Sequence, residues 1–165
     1  KIIDALLRLD ESRGCNVLRA YEDMWGDILG LDSICSVCEY QEPLPLNDIA
    51  KKLDAEVVYG RTDITIWGYT LIDSLKAIVE MLPDQFQKIY GRSTARALIF
   101  TGVHTGRSSM VAVRVSNLKP GAVVLQGMEP VDVDPIAVRI AEVENIPLLT
   151  THFSVDEITS ALSKG

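Results

Sequence analysis

Residues 102–109, Gly102-Val103-His104-Thr105-Gly106-Arg107-Ser108-Ser109, gather an imidazole, a guanidinium, three hydroxyls and two glycines between an apolar run and a helical pattern. A polar loop that leaves a buried strand and opens a helix points backbone amides and the positive end of the helix dipole at whatever sits before it. With Gly102, His104, Thr105, Gly106, Arg107, Ser108 and Ser109 as its lining, that geometry suits the phosphate of a small molecule or nucleotide. It is not a P-loop, because the Gly-Lys-Ser/Thr ending is missing and no carboxylate stands close by in sequence to hold Mg²⁺. A plainer reading accounts for the same residues: Ser108 or Ser109 caps the helix and Gly106 makes the turn.

His104 and His152 both follow predicted strands, at the carboxyl edge where open α/β sheets take ligands. Neither has a serine or cysteine nucleophile paired with it in the pattern, so no catalytic set is read here and each histidine fits an ordinary loop position. Glu129, in Met128-Glu129-Pro130 at the same edge, could contact a ribose or an amide, or simply end a strand in a turn. Asp132 and Asp134 add carboxylates beside it. Asp134-Pro135 reads as an N-cap followed by proline at the first helical position, which explains that pair without chemistry.

Cys35-Ser36-Val37-Cys38 is a C-x-x-C step with Cys15 upstream. A closed zinc shell needs four ligands, and three thiols with no histidine in the region leave it incomplete unless a second chain contributes. Cys15, Cys35 and Cys38 are thus weak metal or redox candidates, and unbonded, buried cysteines acting as small apolar residues are the expectation. No metal or cofactor is expected.

These residues need elements to hold them. Apolar spacing predicts helices over residues 2–9 and 17–29, separated at Ser12-Arg13-Gly14, and hence a helical hairpin. Periodicity fails over 30–45, where Pro43-Leu44-Pro45 disfavours regular structure, so the boundary between a helical extension (1–44) and an α/β domain (45–165) is placed there. Beyond it the pattern predicts a helix at 46–53, strands at 55–59 and 64–67, and a helix at 73–82 stopped by Pro83. Then follow a buried strand at 95–101, a helix at 108–118, a strand at 122–125, a helix at 135–144, a strand at 148–150 and a helix at 155–162. Strands separated by single helices imply crossovers and a mostly parallel sheet flanked by helices, an α/β fold.

Composition narrows the function classes. A 165-residue chain with 47% hydrophobic residues can fill one core. A net charge of −7 lacks the basic footprint for phosphate backbones or anionic lipid, so no nucleic-acid or membrane partner is expected. The longest apolar runs, 95–102 and 122–127, are strand-sized against the roughly 20 residues of a spanning helix. Residues 1–9 carry Asp4 and Arg8, unlike a secretory signal, and three cysteines make no disulfide framework, which together predict a cytoplasmic protein.

The run Ala97-Leu98-Ile99-Phe100-Thr101-Gly102, then Gly121-Ala122-Val123-Val124-Leu125-Gln126-Gly127-Met128-Glu129-Pro130, then Ala141-Glu142-Val143-Glu144-Asn145-Ile146-Pro147-Leu148-Leu149-Thr150-Thr151 resembles the DRTGG domain family. The helix and Ala-Glu-Val-Val strand over 46–59 are similar to that domain's start, so the resemblance covers about 45–165. The name-giving Asp-Arg-Thr-Gly-Gly string is absent, and its place is taken by 103–109. The resemblance implies a non-catalytic, regulatory, dimerising domain, nucleotide-responsive where CBS domains accompany it. It points to a homodimer, with the N-terminal helices offering further dimer surface or a contact to another protein. An accessory domain like that attached to phosphotransacetylases is the alternative it raises, and a thiol-based metal or redox sensor is the one the cysteines raise.

Overall fold

Short apolar strands buried on both faces build the centre of the molecule. In the computed structural model, which describes residues 35–74, 77 and 89–163, the order is β1 (Cys35–Pro45), α1 (Leu46–Lys52), β2 (Glu56–Tyr59), β3 (Thr65–Asp73), β4 (Ala97–Thr101), α2 (Arg107–Val115), β5 (Ala122–Gln126), a 3-10 turn (Pro130–Asp132), α3 (Pro135–Glu144), β6 (Leu148–Thr151) and α4 (Val155–Ser163). The sheet has six strands in the order β1-β3-β4-β5-β6-β2. The four central strands run parallel, and β1 and β2 close the two edges antiparallel to β3 and β6. This is the α/β, mostly parallel architecture expected.

Because strand side chains alternate between faces, each central strand feeds two cores. Leu98, Phe100, Val123, Leu125 and Leu148 pack on one face against Met110 and Val113 of α2 and Ala137, Ile140 and Ala141 of α3. Ala97, Ile99, Ala122, Val124 and Leu149 pack on the other against Leu46, Ile49 and Ala50 of α1 and Ile158 and Leu162 of α4. A strand buried on both faces reads as an unbroken apolar run, which is why 97–101 and 122–126 stand out in the sequence. Among the described residues no helix is long and apolar enough to cross a membrane.

The helix ends show how local chemistry sets these elements. Asp134 Oδ1 accepts from the Ile136 amide at 2.8 Å with Pro135 at the first helical position, the N-cap predicted for α3. Asp134→Ala is expected to cost about 1 kcal/mol in urea unfolding; an unchanged midpoint would show that the cap contributes nothing. Lys119 folds back over the end of α2, its Nζ donating to the carbonyls of Val113, Arg114 and Ser116, where a cation meets the negative end of the dipole. The first amides of α1 are satisfied by neighbouring backbone: Leu46 N and Asn47 N donate to the carbonyls of Ile64 and Thr62 at 2.8 Å each.

Two expectations need correction. Residues 35–45 are not irregular: they form the long edge strand β1, so the sheet takes up residues before 45. Proline is tolerated there because an edge strand leaves one row of amides unpaired, and the pairing with β3 breaks between Glu39 and Leu44, the interval that holds Pro43. The expectation of unbonded cysteines gives way at Cys38, which is disulfide-bonded, while Cys35 remains a thiol. Three positions apart on one strand, the two project to opposite faces, Cys35 against the α2/α3 core and Cys38 into the α1/α4 core. They cannot chelate one ion together. The predicted hairpin at 2–29, Cys15 with it, lies outside the described residues, as does most of the helix predicted over 73–82, of which Ser74 and Ala77 are helical.

A feature with no sequence signal of its own is the ion pair beneath the amino end of β4. Arg96, fully buried, bonds through Nη2 to Glu39 Oε1, with side-chain exposures of 0% and 5%. Its remaining donors reach Ser93 O at 2.8 Å, Cys38 O and Thr70 Oγ1 at 3.3 Å and Tyr69 O at 3.4 Å. A charge this deep persists only when its donors are spent, and here they bind β1 to β3 and β4.

Candidate functional site

The carboxyl ends of β4, β5 and β6 are tied together by one side chain. Gln126, the last residue of β5, accepts from Gly102 N at 2.9 Å and donates through Nε2 to Phe153 O at 3.0 Å, beyond the end of β6. Gly127 N adds a bond to Thr151 O at 2.8 Å. Gly102 and Gly127 sit on this floor, and a Cβ on either would meet nothing within 4 Å. The edge is therefore held rigidly beneath an open surface.

Above that floor, α2 starts abruptly. Gly106 is its N-cap with φ +79° and brings no side chain to cap it, and Leu125 lies so near that a Cβ on Gly106 would come within 2.5 Å of Cδ1. Only glycine combines that left-handed turn with that approach. The plainer expectation, a cap from Ser108 or Ser109, is corrected here: both lie inside the first turn of the helix, Ser109 buried and Ser108 exposed. First-turn amides have no intrahelical acceptor. Thr105 Oγ1 accepts from Arg107 N at 3.4 Å, and Thr105 O accepts from Asp134 N at 2.9 Å, which lays the 129–134 turn alongside the loop.

Of the residues singled out by sequence, Gly102, His104, Thr105, Arg107, Ser108 and Glu129 are exposed along this edge, whereas Gly106 and Ser109 are buried under it. Glu129 N donates to Asp132 Oδ2 at 3.4 Å within the turn. His152 stands at the far side, its Nε2 3.8 Å from Asp54 Oδ2 with both side chains exposed, and its ring edge-on to Phe153. Among the described residues no three His, Cys, Asp or Glu side chains converge as a metal site would require. Gln126 was missed by sequence reading. The only hint was a polar residue closing the apolar run of β5 directly before a glycine.

The comparisons agree with this α/β sheet at the level of fold. In a crystal structure, the CBS and DRTGG domains of the regulatory region of Clostridium perfringens pyrophosphatase, complexed with the activator diadenosine tetraphosphate, are similar to this chain with a TM-score of 0.50 and 14% identity. The match covers 72% of this chain and 46% of that one, so under half of that regulatory region is represented. No protein-family model matches. Two HTH-type transcriptional regulators, themselves uncharacterised, are each 42% identical over 99% of this chain: one from Methanocaldococcus jannaschii, of which the match spans 68%, and one from Archaeoglobus fulgidus, of which it spans 70%. The chain belongs to the family of these regulators.

Proposed function

We propose that this chain is the regulatory, non-enzymatic body of a cytoplasmic transcriptional regulator, a DRTGG-type domain that begins with β1, dimerises and binds a phosphorylated small molecule or nucleotide at its carboxyl edge. The family names and the likeness to a pyrophosphatase regulatory region support regulation over catalysis. The observation that carries the ligand is the meeting of the uncapped start of α2, with exposed Arg107 and Ser108, and the open glycine floor at Gly102 and Gly127. Backbone amides, a guanidinium and a hydroxyl directed at one opening suit an anionic oxygen. The residues before β1 are proposed to add dimer surface or to meet another protein.

The charge argument against nucleic acid is kept for this chain and not for its family. An HTH-type regulator reads DNA through a helix in the major groove, and at −7 this chain is a poor counterion for a duplex. In this reading DNA is contacted by the portion of each relative outside the matched 68% and 70%. The chain's part is to couple ligand to dimer geometry, since half-site spacing follows from how two copies are held.

A thermal-shift series with ATP, ADP, AMP, acetyl phosphate, coenzyme A and diadenosine tetraphosphate, run on the chain and on Arg107→Ala, tests the ligand site. Saturation at a hundred times Kd stabilises the folded state by about 2.7 kcal/mol. The expected result is a shift with at least one compound that is lost in Arg107→Ala. No shift with any of them, or a shift indifferent to Arg107, overturns the site.

A further inference from the structure

At the opposite end of the parallel strands, where β1 parts from β3 after Glu39, a groove of about 540 Å³ opens between Glu39, Tyr40 and Gln41 of β1, Trp67 of β3, and Arg92 and Ser93 before β4. We infer that this groove binds a nucleoside monophosphate, its base stacked on Trp67 and its phosphate at Arg92, at a site separate from the carboxyl edge. Its volume falls within the range of small-molecule clefts.

Two exposed side chains point to that ligand class. Trp67 keeps 41% of its surface exposed on a strand where Ile66 and Tyr69 are buried, and an exposed indole face is a stacking platform for a planar base. Arg92 is exposed and makes no ion pair among the described residues, leaving a guanidinium for a phosphate. Tyr40 and Glu39 form the wall between them, Glu39 Oε1 being engaged by Arg96 Nη2 and, at 3.2 Å, by Arg92 N, which fixes the backbone that carries the Arg92 side chain.

Arg92, next to Ser93 on the wall, takes the phosphate, and the base lies on Trp67.

Calorimetric titration with GMP, guanosine, AMP and inorganic phosphate, on the chain and on Arg92→Ala, Trp67→Ala and Arg107→Ala, tests the inference. Arg92 and Trp67 are exposed, so their removal leaves the core intact. Expected are one GMP per chain, affinity falling about tenfold or more in Arg92→Ala and in Trp67→Ala, and unchanged affinity in Arg107→Ala. AMP should bind with the same dependence on Arg92 and Trp67, and phosphate alone far more weakly than GMP. GMP binding that vanishes in Arg107→Ala and ignores Arg92 would put the nucleotide on the carboxyl edge, overturning the groove and leaving the proposed function standing. No GMP binding at millimolar concentration, or binding indifferent to Arg92 and Trp67, overturns the groove whatever the other site does.

Discussion

Arg96→Met is expected to lower the unfolding free energy by about 3–5 kcal/mol, the loss seen when one member of a buried ion pair is removed. The argument rests on what stays behind. Without the guanidinium, Glu39 is left 4% exposed with one main-chain donor, Arg92 N, and the carbonyls of Cys38, Tyr69 and Ser93 lose a bond each. Glu39→Gln in the Arg96→Met background removes the stranded charge and should restore part of the loss, though not all, because those carbonyls stay unsatisfied. Urea unfolding of the two variants measures this, with unchanged m-values confirming that the native state remains the reference. A single-variant loss below about 1 kcal/mol would mean that water or a shifted Glu39 replaces the arginine, and would remove the ion pair as the link between β1 and the parallel strands.

The consequence is structural division of labour at the amino end of the sheet. One arginine joins residues 57 positions apart in sequence, and the exposed groove residues stand on the frame it fixes.

What could be read in advance, and what could not, divides along the range of the interactions. Strands β4, β5 and β6 and helix α3 declare themselves locally: apolar runs for β4 and β5, Leu148-Leu149 with two β-branched threonines after Pro147 for β6, and Asp134-Pro135 for α3. Strand β1 does not, because its signals conflict. Two prolines and a C-x-x-C step argue for a loop, and the pairing with β3 that overrides them is visible only in three dimensions. The cysteines illustrate the same point, since a spacing that suggests chelation in a loop separates the two thiols across a sheet in a strand. At the carboxyl edge, the loop over 102–109 was legible as a strand-to-helix turn and its glycine as the turn residue. Which residue begins the helix was not, because the approach of Leu125 to Gly106 rather than any serine side chain decides it. Arg96 fell inside the buried strand read over 95–101 without being singled out, and nothing near it in sequence announces the glutamate it meets.

Gly68→Ala should cost about 2–3 kcal/mol, in the upper part of the range for overpacking, although the substitution adds a single methyl and favours an extended backbone. The reason is where the methyl would go. Gly68 faces Glu39 across the β1/β3 ladder, and a Cβ on it would stand 2.3 Å from Cys38 O, 3.3 Å from Glu39 Cα and 3.4 Å from Arg96 Nη1. The first two are backbone atoms, so no rotamer change relieves the contact, and β1 must move away from β3. That movement lengthens the bond from Arg96 Nη1 to Cys38 O, already 3.3 Å, and so weakens the ion-pair network at the same time. Being an edge strand, β1 can yield without unfolding the parallel core. Hydrogen exchange should accordingly show β1 amides opening faster while β4 and β5 keep their protection. Uniform loss of protection across all six strands would instead make β1 part of one cooperative unit with the core, and an unchanged stability would show that Cys38 and Gly68 are not held as closely as the ladder requires.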